Sequence, residues 1–239
     1  MNIEFFGQSG SGKTTLANFL KRKSIFKFSS YRNLYLKELY DKKNIGIINF
    51  INLMIKEVIR ENFHNKKKNK KLKKKSLFTI QNIQENIDKV FYEKELEKTK
   101  YFEYMNYLNN KHKQHSLENV LNWIKIDLIG FHLMEKSKKS VFINSEGFAQ
   151  RLLSIIMRLP LTKNEILELL KLSPKSDILI ILKKEKIGLE NFKKENINET
   201  EIEENIEFLF REISKFYNVL DLSNYDKRDK KKKLIDIIK

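Results

Sequence analysis

The chain of 239 residues has no cysteine, two prolines, one tryptophan and seven glycines. Without cysteine there is no disulfide framework, no thiolate metal site and no cysteine nucleophile. No apolar run approaches the roughly 20 residues that a membrane-spanning helix requires. Lys, Asn and Ile are abundant where Gly and Pro are scarce, a bias that AT-rich coding sequence writes into any protein. Acids are outnumbered by bases, 31 to 48, which leaves a formal net charge of +17. Such a balance invites a nucleic-acid reading. Much of the excess, however, lies in two blocks, Lys66–Lys75 and Lys227–Lys233. Blocks of like charge repel themselves and stay solvated. No nucleic-acid module is visible elsewhere, so nucleic-acid contact is disfavoured, though left open.

What the sequence does contain is concentrated at one place. Three of the seven glycines fall within Gly7-Gln8-Ser9-Gly10-Ser11-Gly12-Lys13-Thr14. An apolar run, Ile3-Glu4-Phe5-Phe6, precedes this segment, and a helix-forming stretch from Thr15 follows it. The segment fits the P-loop pattern G-x-x-x-x-G-K-[ST] in the strand–loop–helix setting that gives the pattern its meaning. Glycines let consecutive backbone N–H groups turn inward as an anion-binding nest, and the positive end of the helix adds to the field. Lys13 can then reach β- and γ-phosphates, and the Thr14 hydroxyl can ligate Mg²⁺. Gly7, Gln8, Ser9, Gly10, Ser11, Gly12, Lys13, Thr14 and Thr15 are the expected ATP-binding residues.

Short apolar runs alternate with long helical patterns along the rest of the chain. The candidate strands are residues 2–6, 24–28, 141–144, 177–182 and 218–222. Their continuous apolar character is that of parallel strands covered on both faces. The expected fold is a single α/β domain over 1–239, with a mostly parallel five-stranded sheet between helical layers. The crossover between the second and third strands is far longer than one helix. It reads as an all-helical insertion over 31–139 of about four helices, with a flexible Lys-rich loop at 65–76. Its apolar repeats include Leu117-Val120-Leu121-Ile124-Leu128.

A second informative segment is Val141-Phe142-Ile143-Asn144-Ser145-Glu146-Gly147-Phe148-Ala149-Gln150-Arg151. A buried strand ending in a carboxylate downstream of a P-loop places a group that handles Mg²⁺ or polarises a nucleophile. The alternative for Glu146 is helix N-terminal capping. The pairing of G-x-x-x-x-G-K-T with a strand ending in an acidic-Gly step, then a helix carrying Gln and Arg, resembles P-loop kinases of the thymidylate/nucleoside-kinase-like group. The resemblance covers the first 30 residues and about 140–225, and it implies the three-layer P-loop NTPase sandwich. The sequence departs from that group in having Ser145 where many members carry Asp. The stretch Lys183–Lys194 offers only lysines where a lid arginine is usual.

The expected activity is therefore ATP-dependent phosphotransfer to a small-molecule acceptor (nucleoside, nucleotide or sugar-like), with ATP and Mg²⁺ as cofactors. Lys13, Glu146 and Arg151 are the candidate catalytic residues, and Thr14 and Glu146 the candidate metal ligands. Tyr31, Arg32 and Arg158 are candidates for the acceptor site, and Arg151 and Arg158 fit surface or structural ion pairs equally well. The alternatives are a nucleotide-dependent regulatory NTPase and a nucleic-acid-associated ATPase. No secretory leader is visible, so a cytoplasmic location is expected, with no membrane span. A homodimer is compatible with the sequence.

Overall fold

Strand β1 (Asn2–Phe6) is buried along its whole length. A strand with no exposed residue needs neighbours on both edges and a layer on each face, and that requirement organises the molecule. The computed structural model describes residues 1–23, 34, 100–113, 117–136, 141–183 and 199–237. Within them β1 is followed by α1 (Lys13–Lys23), α2 (Lys100–Lys111), α3 (Glu118–Lys136), β2 (Phe142–Asn144), α4 (Phe148–Ile156) and α5 (Lys163–Leu172). Then come β3 (Ile178–Ile181), α6 (Glu199–Glu212), a single 3₁₀ turn (Ile213–Lys215), β4 (Val219–Asp221) and α7 (Lys227–Ile237).

The described strands form one parallel sheet of order β2-β1-β3-β4. The chain steps from β1 to β2 on one side, then crosses back over β1 to β3. Strand order thus reverses at β1, and open parallel sheets bind ligands in the crevice beyond the carboxyl ends at such a point. The sheet has four strands here rather than the five expected. The remaining candidate, 24–28, lies outside the described residues, as do Tyr31, Arg32, the Lys66–Lys75 block and most of the 31–139 insertion.

Side-chain alternation in β1 divides the core in two. Ile3 and Phe5 join Leu16, Ala17 and Leu20 of α1 and Leu234 of α7 on one face. On the opposite face Phe6, Leu179 and Ile181 meet a larger core built from α2 to α6. The insertion repeat Leu117-Val120-Leu121-Ile124-Leu128 is buried in that larger core, as its helical spacing predicts. So are Tyr101 and Phe102, whereas Tyr107 is exposed and stacks on Tyr104 with ring centroids 5.7 Å apart. Helix α5 begins with a full capping box, Thr162 and Glu165 each satisfying the other's backbone N–H. No described helix is long and apolar enough to cross a membrane.

Candidate active site

The segment Gly7–Gly12 leaves the carboxyl end of β1 and turns into α1, as its spacing predicts. Gly7, Gly10 and Gly12 have φ of 149°, 77° and 93°, backbone states that L side chains rarely adopt. Gly7 carries a second constraint, because a Cβ there would lie 2.0 Å from the Leu182 carbonyl oxygen. The Ser11 N–H donates to Gln8 O at 3.2 Å, and the Leu16 N–H donates to Gly12 O at 3.0 Å, where the helix begins. The N–H groups of that first turn lack intrahelical acceptors. Ser11 Oγ is buried there with no hydrogen-bond partner among the described residues. A concave loop with positive-φ glycines, first-turn N–H groups and an orphaned hydroxyl fits a phosphate chain.

Lys13 folds back over the loop, its Nζ donating to Gly7 O at 2.5 Å and to Gln8 O at 2.8 Å. Burial lowers its pKa to about 8, and the charge of Glu146 works in the opposite direction. Two carbonyl dipoles hold the ammonium where a phosphate would be a far stronger partner. Thr14 is half-buried and Thr15 exposed.

Glu146 follows β2, the neighbour of β1, with its side chain 51% exposed. It does not cap α4. The cap position is Gly147, which makes no side-chain cap bond. The task falls instead to a residue that sequence reasoning missed. Glu4 of β1, fully buried, accepts the Ala149 N–H on Oε1 at 2.9 Å. A Cβ on Gly147 would lie 2.1 Å from that same oxygen, so only glycine lets the carboxyl approach the helix end. Burial pushes the Glu4 pKa up to about 8, the Ala149 bond opposes the shift and the charge of Asp127 adds to it. A lone acid in a strand buried on both faces was the available signal.

Arg151 is buried, not presented to solvent. Its Nε donates to Asp127 Oδ2 of α3 at 2.7 Å, and Nη1 lies 3.8 Å from Glu146 Oε2. The guanidinium also covers the Trp123 ring, 5.5 Å from its centroid. Desolvation opposes its charge, but Asp127 and Glu146 outweigh that and raise its pKa. Burial in turn lifts Asp127 to about 6 against the pull of Arg151. Asp127 was also missed, although an acid inside Trp123-Ile124-Lys125-Ile126-Asp127-Leu128-Ile129 is the same kind of signal as Glu4. Between these charges, Gln150 Oε1 accepts the Gly7 N–H at 3.2 Å, which ties α4 directly to the loop.

Among the predicted site residues the structure gathers the Gly7–Thr14 loop, Glu146 and Arg151. Arg158 is carried away from them. Seven residues along from Arg151, it lies past the end of α4 and donates from Nη1 to the Ser154 carbonyl at 2.9 Å. Lys183, at the start of the lysine-only stretch, sits 5.2 Å over the Phe210 ring. No group of three or more His, Asp or Glu among the described residues converges to hold a metal ion. A Mg²⁺ ion here would draw on Thr14 and Glu146 together with nucleotide phosphates. Comparison with protein-family models, curated proteins and solved structures finds no match to this chain.

Proposed function

We propose that the chain is a Mg²⁺-dependent phosphotransferase that uses ATP and a small-molecule acceptor, built as a P-loop NTPase sandwich. One observation carries the reading. A loop with three positive-φ glycines and an inward lysine lies at the reversal of strand order, beside an uncapping carboxylate at the end of the adjacent strand. The backbone nest and Lys13 supply fixed positive potential for the triphosphate, which is most of what phosphoryl transfer asks of a protein. Thr14 and Glu146 would hold the metal, which neutralises charge between the outer phosphates when bound. Glu146, half-exposed at the end of β2, would also orient an acceptor hydroxyl.

Incubation with ATP and a panel of nucleosides, nucleotides and sugars, followed by product mass, tests the reading. One acceptor should gain a phosphoryl group while ADP forms, and Glu146→Gln should slow transfer by ~10²-fold. If ADP and free phosphate form while no acceptor gains a phosphoryl group, the regulatory NTPase takes its place. The surface of α7 favours one further reading. Lys227, Arg228, Lys230, Lys231, Lys232 and Lys233 share one helix, and none forms an ion pair among the described residues. A nucleic-acid-associated ATPase would use such a surface, and its ATP hydrolysis would rise with added polynucleotide.

A further inference from the structure

Behind the P-loop runs a buried chain of charges that phosphate binding does not require. It passes from Asp127 on α3, through Arg151 on α4, to Glu146 at the loop mouth. Buried ion pairs are weak devices for holding helices together, since desolvation cancels most of the attraction. Two apolar side chains would join α3 to α4 at least as firmly, as the surrounding Leu, Ile and Phe residues do. An ion pair that ends on a half-exposed carboxylate calls for another account.

We infer that Arg151 and Asp127 are positioning residues for Glu146: Asp127 fixes the guanidinium, and the guanidinium fixes where the Glu146 carboxylate stands relative to the P-loop. The inference rests on the proposed Mg²⁺-ATP site and deepens it. Three observations support it independently. Arg151 is too enclosed to serve as a phosphate clamp, with a side chain 8% exposed, one edge on Asp127 and one face on Trp123. Its Nη1 is directed at Glu146, at ion-pair distance. Glu146 itself is free to be positioned, because Glu4 has taken over the bond to the start of α4. The first turn of α4 is therefore anchored at three points, to β1 through Glu4, to Gly7 through Gln150 and to α3 through Arg151. Glu146 stands immediately before that anchored turn. Arg151 thus acts through Glu146 rather than on the nucleotide.

The test is calorimetric titration of the full chain with ATP in the presence and absence of Mg²⁺. The quantity read is the ratio of the two dissociation constants, which isolates the contribution of the metal. Wild type should gain affinity with Mg²⁺. Glu146→Gln, Arg151→Lys and Asp127→Asn should each cut that gain by about 10-fold, the usual cost of losing a group that orients a metal ligand. The double variant Asp127→Asn/Glu146→Gln should lose no more than Glu146→Gln alone, because the two residues act as one unit. A full Mg²⁺ gain in folded Asp127→Asn, or losses that multiply in the double variant, would overturn the inference. Circular dichroism establishes folding, and if Asp127→Asn does not fold, the same cycle is run with Arg151→Lys and Arg151→Lys/Glu146→Gln. A wild-type chain that binds no ATP under either condition defeats the underlying site. One that binds ATP with a normal Mg²⁺ gain, unaffected by Arg151 or Asp127, defeats only the positioning chain.

Discussion

The Gly7–Thr14 loop and the polar knot behind it are neighbours built on opposite plans. The loop is a local device: eight consecutive residues, three positive-φ glycines and one lysine held by carbonyls of its own segment. The knot is a tertiary device, in which Glu4, Asp127 and Arg151 come from β1, α3 and α4 and meet out of contact with water. The loop's charge is offset by dipoles that a ligand can replace. In the knot Arg151 is held by Asp127, and Glu4 by the Ala149 N–H. A site of this kind needs both, an adaptable cradle for the ligand and a rigid backing that keeps one carboxylate in place.

If the knot is the rigid member, breaking it should give the largest loss of stability. Asp127→Ala removes the close partner of the buried Arg151 guanidinium and leaves it only the half-exposed Glu146 at 3.8 Å, and denaturant unfolding should show a loss of about 3–5 kcal/mol. A loss below about 1 kcal/mol would mean that the pair is solvated and the contrast with the loop is false.

The same contrast explains how much of the molecule was legible. The loop, its strand and its helix could be read because their chemistry depends on spacing along the chain, and Gly7–Thr14 turned out to be placed accordingly. Three of the other strands also stand where continuous apolar runs put them, shortened by a residue or two at the ends where pairing gives out. The knot was illegible because its members are paired by tertiary packing, Asp127 with Arg151 across 24 positions and Glu4 with Ala149 across 145. Glu4 could be seen as an acid in a buried strand, but not as the cap of a helix 145 residues on. For Arg151 the sequence left a catalytic group and a structural ion pair both open. It packs against Asp127, since the apolar face of α4 (Leu152, Leu153, Ile155, Ile156) draws the first turn into the core.

A smaller effect comes from Glu4, and its sign follows from burial. Its folded pKa of about 8 lies above its value in the unfolded chain, so the folded state holds an extra proton between pH 4.5 and 8. Stability should therefore fall as pH rises through that window and level off above it. Asp127, raised to about 6, adds to the same slope at its acid end. Glu4→Gln keeps an oxygen for the Ala149 N–H without the ionisation. It should gain on wild type by about 2–4 kcal/mol in melting experiments between pH 5 and pH 8.5. A constant difference across that range would show that Glu4 is not desolvated.

Gln150 joins the two regions, and its removal should cost least. Gln150→Ala loses a part-buried bond to the Gly7 N–H, worth about 1 kcal/mol of stability. Nucleotide affinity should fall at most several-fold, because the nest keeps its other donors. A collapse of ATP binding in this variant would mean that the loop does not hold its shape by itself.

Isothermal titration of wild type and Lys13→Ala with Mg²⁺-ATP asks whether the Gly7–Thr14 loop is a triphosphate cradle. Wild type should bind one ATP saturably, and Lys13→Ala should bind it ~10²-fold more weakly, since a desolvated phosphate loses its fixed counter-charge. Equal affinity in the two proteins, or no binding by wild type, would contradict it.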